Sequence, residues 1–139
     1  MASLLVIDNS IVMAWCFDDE PVSFARAVLE ELERGKAIQP SVWPLELGNS
    51  LLVAERRRRI GREHSERFLR DLDSLSIEVE QEPSTRMLGE ILTLAREHQL
   101  STYDASYLDL AMRRDLPLAT QDKALLRAAG DCGVALFQP

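Results

Sequence analysis

Four carboxylates stand where strands and helices meet: Asp8, Glu46, Asp104 and Asp122. Asp8 directly follows the apolar run Leu4-Leu5-Val6-Ile7, and Glu46 falls in the first turn of a helix opened by Pro44. Asp104 opens the helix leading into a fourth strand, and Asp122 comes two residues after that strand. In an open α/β sheet, ligands bind outside the carboxyl ends of the strands. Most of these positions belong at that one end, where unpaired carboxylates repel one another and tend to take up protons. A divalent cation removes the repulsion. A carboxylate-only donor set with no supporting His or Cys points to Mg²⁺ or Mn²⁺ over Zn²⁺. Metal-bound water is a stronger acid than bulk water, and the cation stabilises the oxyanions of an attacked phosphodiester. The chemistry suggested is metal-assisted phosphodiester hydrolysis. Each acid also has an ordinary role open to it. Asp8 and Asp122 suit helix N-caps, while Glu46 and Asp104 suit the positive end of a helix dipole. The joint pattern carries the reading, not any one residue.

The elements that must position these acids follow from periodicity. Leu4-Leu5-Val6-Ile7 reads as a strand buried on both faces, the kind found in parallel sheets. A short helix is expected over 11–17. A longer one is opened by Pro21, carries Phe24, Ala25, Val28, Leu29 and Leu32, and is ended by Gly35. Ala37-Ile38-Gln39 is a second strand closed by Pro40. The helix from Pro44 uses Leu47, Leu51, Leu52 and Ala54, and is expected to run through Arg56, Arg57, Arg58 and Arg59 to Gly61. His64, Phe68, Leu69 and Leu72 mark another helix, and Ile77-Glu78-Val79 alternates like a strand. Met87, Leu88, Ile91, Leu92 and Ala95 form a helical stripe. A helix over 103–114, a strand over 116–120, a short helix over 123–129 and a last strand at Val134-Ala135-Leu136-Phe137 complete the chain. Alternating strands and helices predict an α/β fold with a mostly parallel sheet.

The 139 residues predict one domain over 1–139, large enough for one sizeable core. Hydrophobic residues at 46% and charged residues at 28% are globular proportions and exclude a disordered chain. Sixteen basic against 23 acidic residues give a net charge of −7, which excludes a generally basic nucleic-acid binder. Nucleic-acid contact must then come from a local basic patch or bound metal. Cys16 and Cys132 form no Cys-x-x-Cys pair and suit reduced thiols in a cytoplasmic protein. No apolar run has membrane-spanning length, and the first residues lack a basic leader.

Four stretches resemble one known family. Val6-Ile7-Asp8-Asn9-Ser10, with Trp15, Asp19-Glu20-Pro21 and Ala25, resembles the opening of PIN-domain ribonucleases of the VapC toxin type. Pro44-Leu45-Glu46-Leu47-Gly48-Asn49-Ser50-Leu51 resembles that family's second acidic motif. Thr102-Tyr103-Asp104-Ala105-Ser106-Tyr107-Leu108-Asp109-Leu110-Ala111 resembles the third, and Leu118-Ala119-Thr120-Gln121-Asp122-Lys123-Ala124-Leu125 the fourth. The motifs fall in family order across nearly the whole chain. The resemblance implies a PIN-like three-layer fold, with about five strands and helices on both faces. It implies that Asp8, Glu46, Asp104 and Asp122 are the catalytic, metal-binding acids. Ser10 and Thr120 would be hydroxyl partners, and Asn49 a supporting or substrate contact. It further implies a Mg²⁺- or Mn²⁺-dependent endoribonuclease acting on RNA, a homodimer, and a cognate antitoxin that occludes the site. Ser106 stands where small or apolar residues are more usual.

Arg57, Arg58, Arg59 and Arg62 belong to the densest basic run, readable as a solvated helix end or as an RNA-steering patch. Asp109 lies about 140° around the helix from Asp104 and is not expected to be a ligand. His64 and His98 have no evident partner in sequence and read as surface or helix-end residues. Trp15, Phe17 and Trp43 read as core or interface residues, since aromatics at 6% offer no extended stacking surface. The outer edge of the Met87 stripe is left as a candidate dimer or antitoxin contact. Two rivals differ in class. A catalytically silent PIN-like binding module would lack acids that are all present here. A phosphoacceptor receiver domain needs an Asp after the third strand, where this chain has Glu80-Gln81-Glu82, and a Lys after the last, where it ends Phe137-Gln138-Pro139.

Overall fold

The computed structural model describes residues 3–17 and 23–139. Pro21, expected to open the second helix, and the Asp19-Glu20-Pro21 part of the first motif lie outside the described residues. In chain order the elements are β1 (Leu4–Ile7), α1 (Asn9–Cys16), α2 (Ser23–Glu33), β2 (Lys36–Gln39), α3 (Trp43–Arg56), α4 (Arg62–Asp73) and β3 (Ile77–Val79). Then follow α5 (Ser84–Arg86), a π-helical turn (Met87–Ile91), α6 (Leu92–His98), α7 (Thr102–Arg114), β4 (Leu118–Ala119) and α8 (Lys123–Asp131).

The sheet is parallel throughout, in the order β3-β2-β1-β4. The run Leu5-Val6-Ile7 is covered on both faces and essentially inaccessible, as an unbroken apolar strand at the centre of a parallel sheet must be. From β1 the chain winds outward to β2 and β3, then crosses back to lay β4 on the other side of β1. With right-handed crossovers, that reversal puts α5, α6 and α7 on the opposite face from α1, α2, α3 and α4. The packing agrees: α1 lies against α2 and α3, whereas α7 lies against β1, β4, α6 and α8. Beneath the sheet, Tyr107, Leu108 and Leu110 of α7 are fully buried, and Val12, Val28 and Leu32 close the other side. Each such aliphatic side chain contributes about 1.5–3 kcal/mol by leaving water.

Two expectations need correction. The sheet has four strands, not about five. The apolar segment 134–137 makes one parallel bridge, Leu118 to Leu136, with Leu118 N donating to Ala135 O and Phe137 N to Leu118 O. β4 is only two residues long, so Leu118 alone faces that edge. The following residue, Thr120, turns its hydroxyl to Asp8. The second correction concerns the arginine run. α3 ends at Arg56, and Arg58 takes a left-handed backbone with φ 58°. Arg59 N then donates back to Ala54 O. The four arginines therefore do not wind around a helix, because the chain leaves it in a left-handed turn.

Ion pairs pin α7 to the segment after β3. Arg113 meets Asp109 at 2.9 Å and Glu80 at 2.7 Å, and also contacts Glu82. Arg86 meets the same Asp109 at 2.6 Å. Both histidines have partners that sequence did not show. Nε2 of His64 lies 2.7 Å from Cys16 O, and Nε2 of His98 lies 3.3 Å from the Cys132 sulfur. Among the described residues no helix is long and apolar enough to cross a membrane.

Candidate active site

Strand order reverses between β1 and β4, and a crevice opens there at the carboxyl ends of the strands, as topology requires. Asp8 ends β1 at its rim. Its N–H donates to Ala119 O at 2.9 Å, which locks the two strand ends together. Asp8 occupies the N-cap position of α1 but its carboxylate does not cap that helix. Instead Oδ2 accepts from the hydroxyls of Ser10 and Thr120, both at 2.9 Å. The backbone N–H of Ser10 also faces the Asp8 carboxylate and favours its charged form. Thr120 in turn accepts from the N–H of Asp122 at 3.0 Å, so one hydroxyl ties both acids to the end of β4. Asp122 is the N-cap of α8, its Oδ2 accepting from Leu125 N at 3.0 Å. Its ordinary role and its place at the crevice coexist.

The other two acids come from helix N-termini. Glu46 sits in the first turn of α3, and its Oε1 accepts from the Tyr107 hydroxyl at 2.7 Å. Asp104 sits in the first turn of α7, where its N–H is capped by the Ser101 hydroxyl at 3.0 Å. The Asp104 carboxylate accepts no hydrogen bond from a described residue. All four acids line one cleft of about 620 Å³, together with Asn9, Ser10, Asn49, Ser50, Arg57 and Arg59.

The electrostatics follow from that gathering. Burial, then the charges of Asp8, Asp122 and Glu46, push the Asp104 carboxyl up to about 6. Glu46 is raised by burial and by Asp8, against the opposing hydrogen bond from Tyr107. Asp8 is raised by burial despite its two hydroxyl donors. Tyr107, buried beside Glu46, is held far above its usual range and remains a proton donor. None of the four carboxylates forms an ion pair with a described residue. Among the described residues, no three Asp, Glu, His or Cys side chains stand close enough to hold one metal ion jointly. The all-oxygen donor set suits a hard cation that retains several waters and takes only one or two carboxylates directly.

Of the four arginines expected to steer RNA, Arg57 and Arg59 line the cleft. Arg59 also lies over the Phe17 ring at 3.6 Å. Arg58 and Arg62 do not line it, and Arg62 pairs with Glu66 at 2.8 Å. Ser10 and Thr120 hold Asp8, whereas Asn49 faces the cleft with no hydrogen bond to a described residue. Glu80 and Glu82, where a receiver would carry its acceptor, are engaged with Arg113 and lie outside the cleft.

The PIN domain profile matches residues 5–131. The chain belongs to the PIN-domain family. PIN domains are generally nucleases. Solved structures similar to this PIN domain include PAE2754 from Pyrobaculum aerophilum, with a TM-score of 0.68 and 29% identity over 92% of this chain and 87% of that one. FitAcB from Neisseria gonorrhoeae shares the fold, with a TM-score of 0.64 and 18% identity over 97% of both chains. No curated protein matches the sequence.

Two side chains of this PIN domain escaped the sequence reading. Tyr107 stands three residues after Asp104, a spacing that puts both on one helix face, and that signal was there to be used. Gln39 grips the backbone of Ile7 just before Asp8, and no sequence pattern marks it.

Proposed function

We propose that this PIN domain is a Mg²⁺- or Mn²⁺-dependent endoribonuclease and the toxin of a toxin–antitoxin pair, working as a homodimer that a cognate antitoxin occludes. One observation carries the catalytic part: Asp8, Glu46, Asp104 and Asp122 line a single cleft, unpaired with any described cation, and burial together with the charges of the other three raises Asp104 to about 6. Such a site is costly to leave without a positive charge, and its donors are oxygen only, so the residues fit a hard divalent cation. When bound, that cation supplies Lewis acidity toward a phosphodiester and toward water. The chain's own side chains supply placement. Ser10 and Thr120 fix the Asp8 carboxylate through its Oδ2. Tyr107 fixes Glu46 through its Oε1. Arg57 and Arg59 bring positive charge to the rim of a protein whose net charge of −7 repels RNA. The RNA substrate, antitoxin and dimer rest on the family resemblance of the four motifs.

The decisive experiment is to sequence the RNA ends formed when the purified chain meets total cellular RNA with Mg²⁺, beside an Asp8→Asn control. Discrete new ends with the native chain, absent from the control, are expected. Intact RNA in both would overturn the enzymatic reading. Unchanged Mn²⁺ affinity in both Asp8→Asn and Asp104→Asn would overturn the metal site.

A further inference from the structure

A second recess of about 370 Å³ adjoins the acidic cleft and is lined by Val42, Leu45, Glu46, Asn49, Ser50 and Tyr103. Glu46, Asn49 and Ser50 line both, so the recess and the cleft share a wall. Its walls are chemically distinct from the cleft. Tyr103 is an aromatic ring 56% exposed, and Leu45 is an aliphatic side chain 78% exposed, so both present apolar surface to whatever enters. The Tyr103 hydroxyl and the Asn49 amide have no hydrogen-bond partner among the described residues. The recess therefore offers a stacking face, an apolar wall and one unspent amide, within the size range of small-molecule sites. Glu46 at its edge disfavours a phosphate and tolerates a neutral group. An unpaired nucleobase meets every one of these demands: it stacks on an aromatic face, carries no charge, and presents an edge to an amide.

We propose that this recess is a base-stacking subsite, in which Tyr103 and Leu45 seat one unpaired nucleobase of the RNA next to the acidic cleft while Asn49 contacts its edge. The inference rests on the ribonuclease reading above. It makes Tyr103 a substrate-binding residue whose contribution falls on KM more than on the chemical step.

The test uses a single-stranded RNA decamer whose cut site has been mapped, and the same decamer with an abasic ribose at each position flanking the cut. On the native chain, one abasic position raises KM about tenfold or more, with kcat little changed. Tyr103→Ala reproduces that loss and makes the chain indifferent to that abasic position. Tyr103→Phe, which keeps the ring, restores native behaviour. Irradiation of the native chain with a 5-iodouridine decamer places the crosslink on the peptide containing Tyr103. A native chain that cuts the decamer, with Tyr103→Ala showing the same KM and abasic profile, overturns the subsite and leaves the nuclease reading intact. A chain that neither cuts nor binds RNA overturns both. A Tyr103→Ala chain altered in self-association but not in KM assigns the recess to a second copy and overturns the proposal.

Discussion

The side-chain amide of Gln39 substitutes for a missing stretch of β-ladder at Ile7. Its Oε1 accepts from Ile7 N at 2.8 Å and its Nε2 donates to Ile7 O at 2.7 Å. The register of β1 on β2 pairs Leu4 with Lys36 and Leu5 with Ala37. Continued, it would require an N–H from Pro40 for the Ile7 carbonyl, and proline has none. The Gln39 amide closes both bonds instead, in a site 1% exposed. It fixes the last peptide of β1 immediately before Asp8.

Replacing this amide by an isosteric hydrocarbon leaves two buried backbone groups without partners. Gln39→Leu is expected to lower unfolding free energy by about 2–4 kcal/mol, because each orphaned group costs about 1–3 kcal/mol. Urea denaturation measures it. A loss below about 0.5 kcal/mol would mean that Ile7 finds other partners.

Tyr107→Phe removes one hydroxyl and keeps the ring in the core. Stability should fall by only about 1 kcal/mol. Nuclease rate should fall roughly tenfold, the factor matching about 1.4 kcal/mol, as Glu46 loses its donor. Thermal melting and single-turnover cleavage separate the two effects, and an unchanged rate would show that Glu46 holds its place unaided.

Asp104 gives a pH signature in EDTA. Its carboxyl moves from an unperturbed 3.8 to about 6 in the folded chain. Between those values the folded state binds more protons than the unfolded one, so stability falls as pH rises through this window. Below about 4 both states are protonated and the group is neutral to stability. Above about 6 the full cost is present. Asp104→Asn should therefore melt higher than the native chain at pH 7.5, with the gap closing toward pH 4. A gap independent of pH would show that neither burial nor its neighbours raise this acid.

Asp109 is held by two arginines and makes no contribution to the cleft lining. Asp109→Ala should cost about 2–3 kcal/mol, less than for a fully buried pair because both arginines keep partial access to water. Mn²⁺ affinity should remain native. A calorimetric titration showing weaker metal binding would mean that the ion pairs at the far end of α7 help place Asp104.

Much of this molecule is legible in its sequence. Apolar runs bounded by Asp, Gly and Pro locate β1 and β2, and 3.6-residue stripes locate α2, α4 and α7, because these elements bury one consistent face. The four acids are legible as a set because each follows a strand or opens a helix. What resists reading depends on neighbours. The segment 134–137 is strand-like in composition, but its partner β4 offers only Leu118. The arginine run looks helical until the left-handed Arg58 ends α3. Tyr103 looks like an ordinary helix-start residue, and only the adjoining recess gives its exposed ring a context.

The reversal of strand order has a consequence for how the protein is made. Thr120, which holds Asp8 from 112 residues later in the chain, and Asp122, which lines the crevice, both follow β4. A nascent polypeptide emerging from the ribosome can assemble β1, β2 and β3 and still have no crevice. The crevice is complete only once β4 has inserted beside β1.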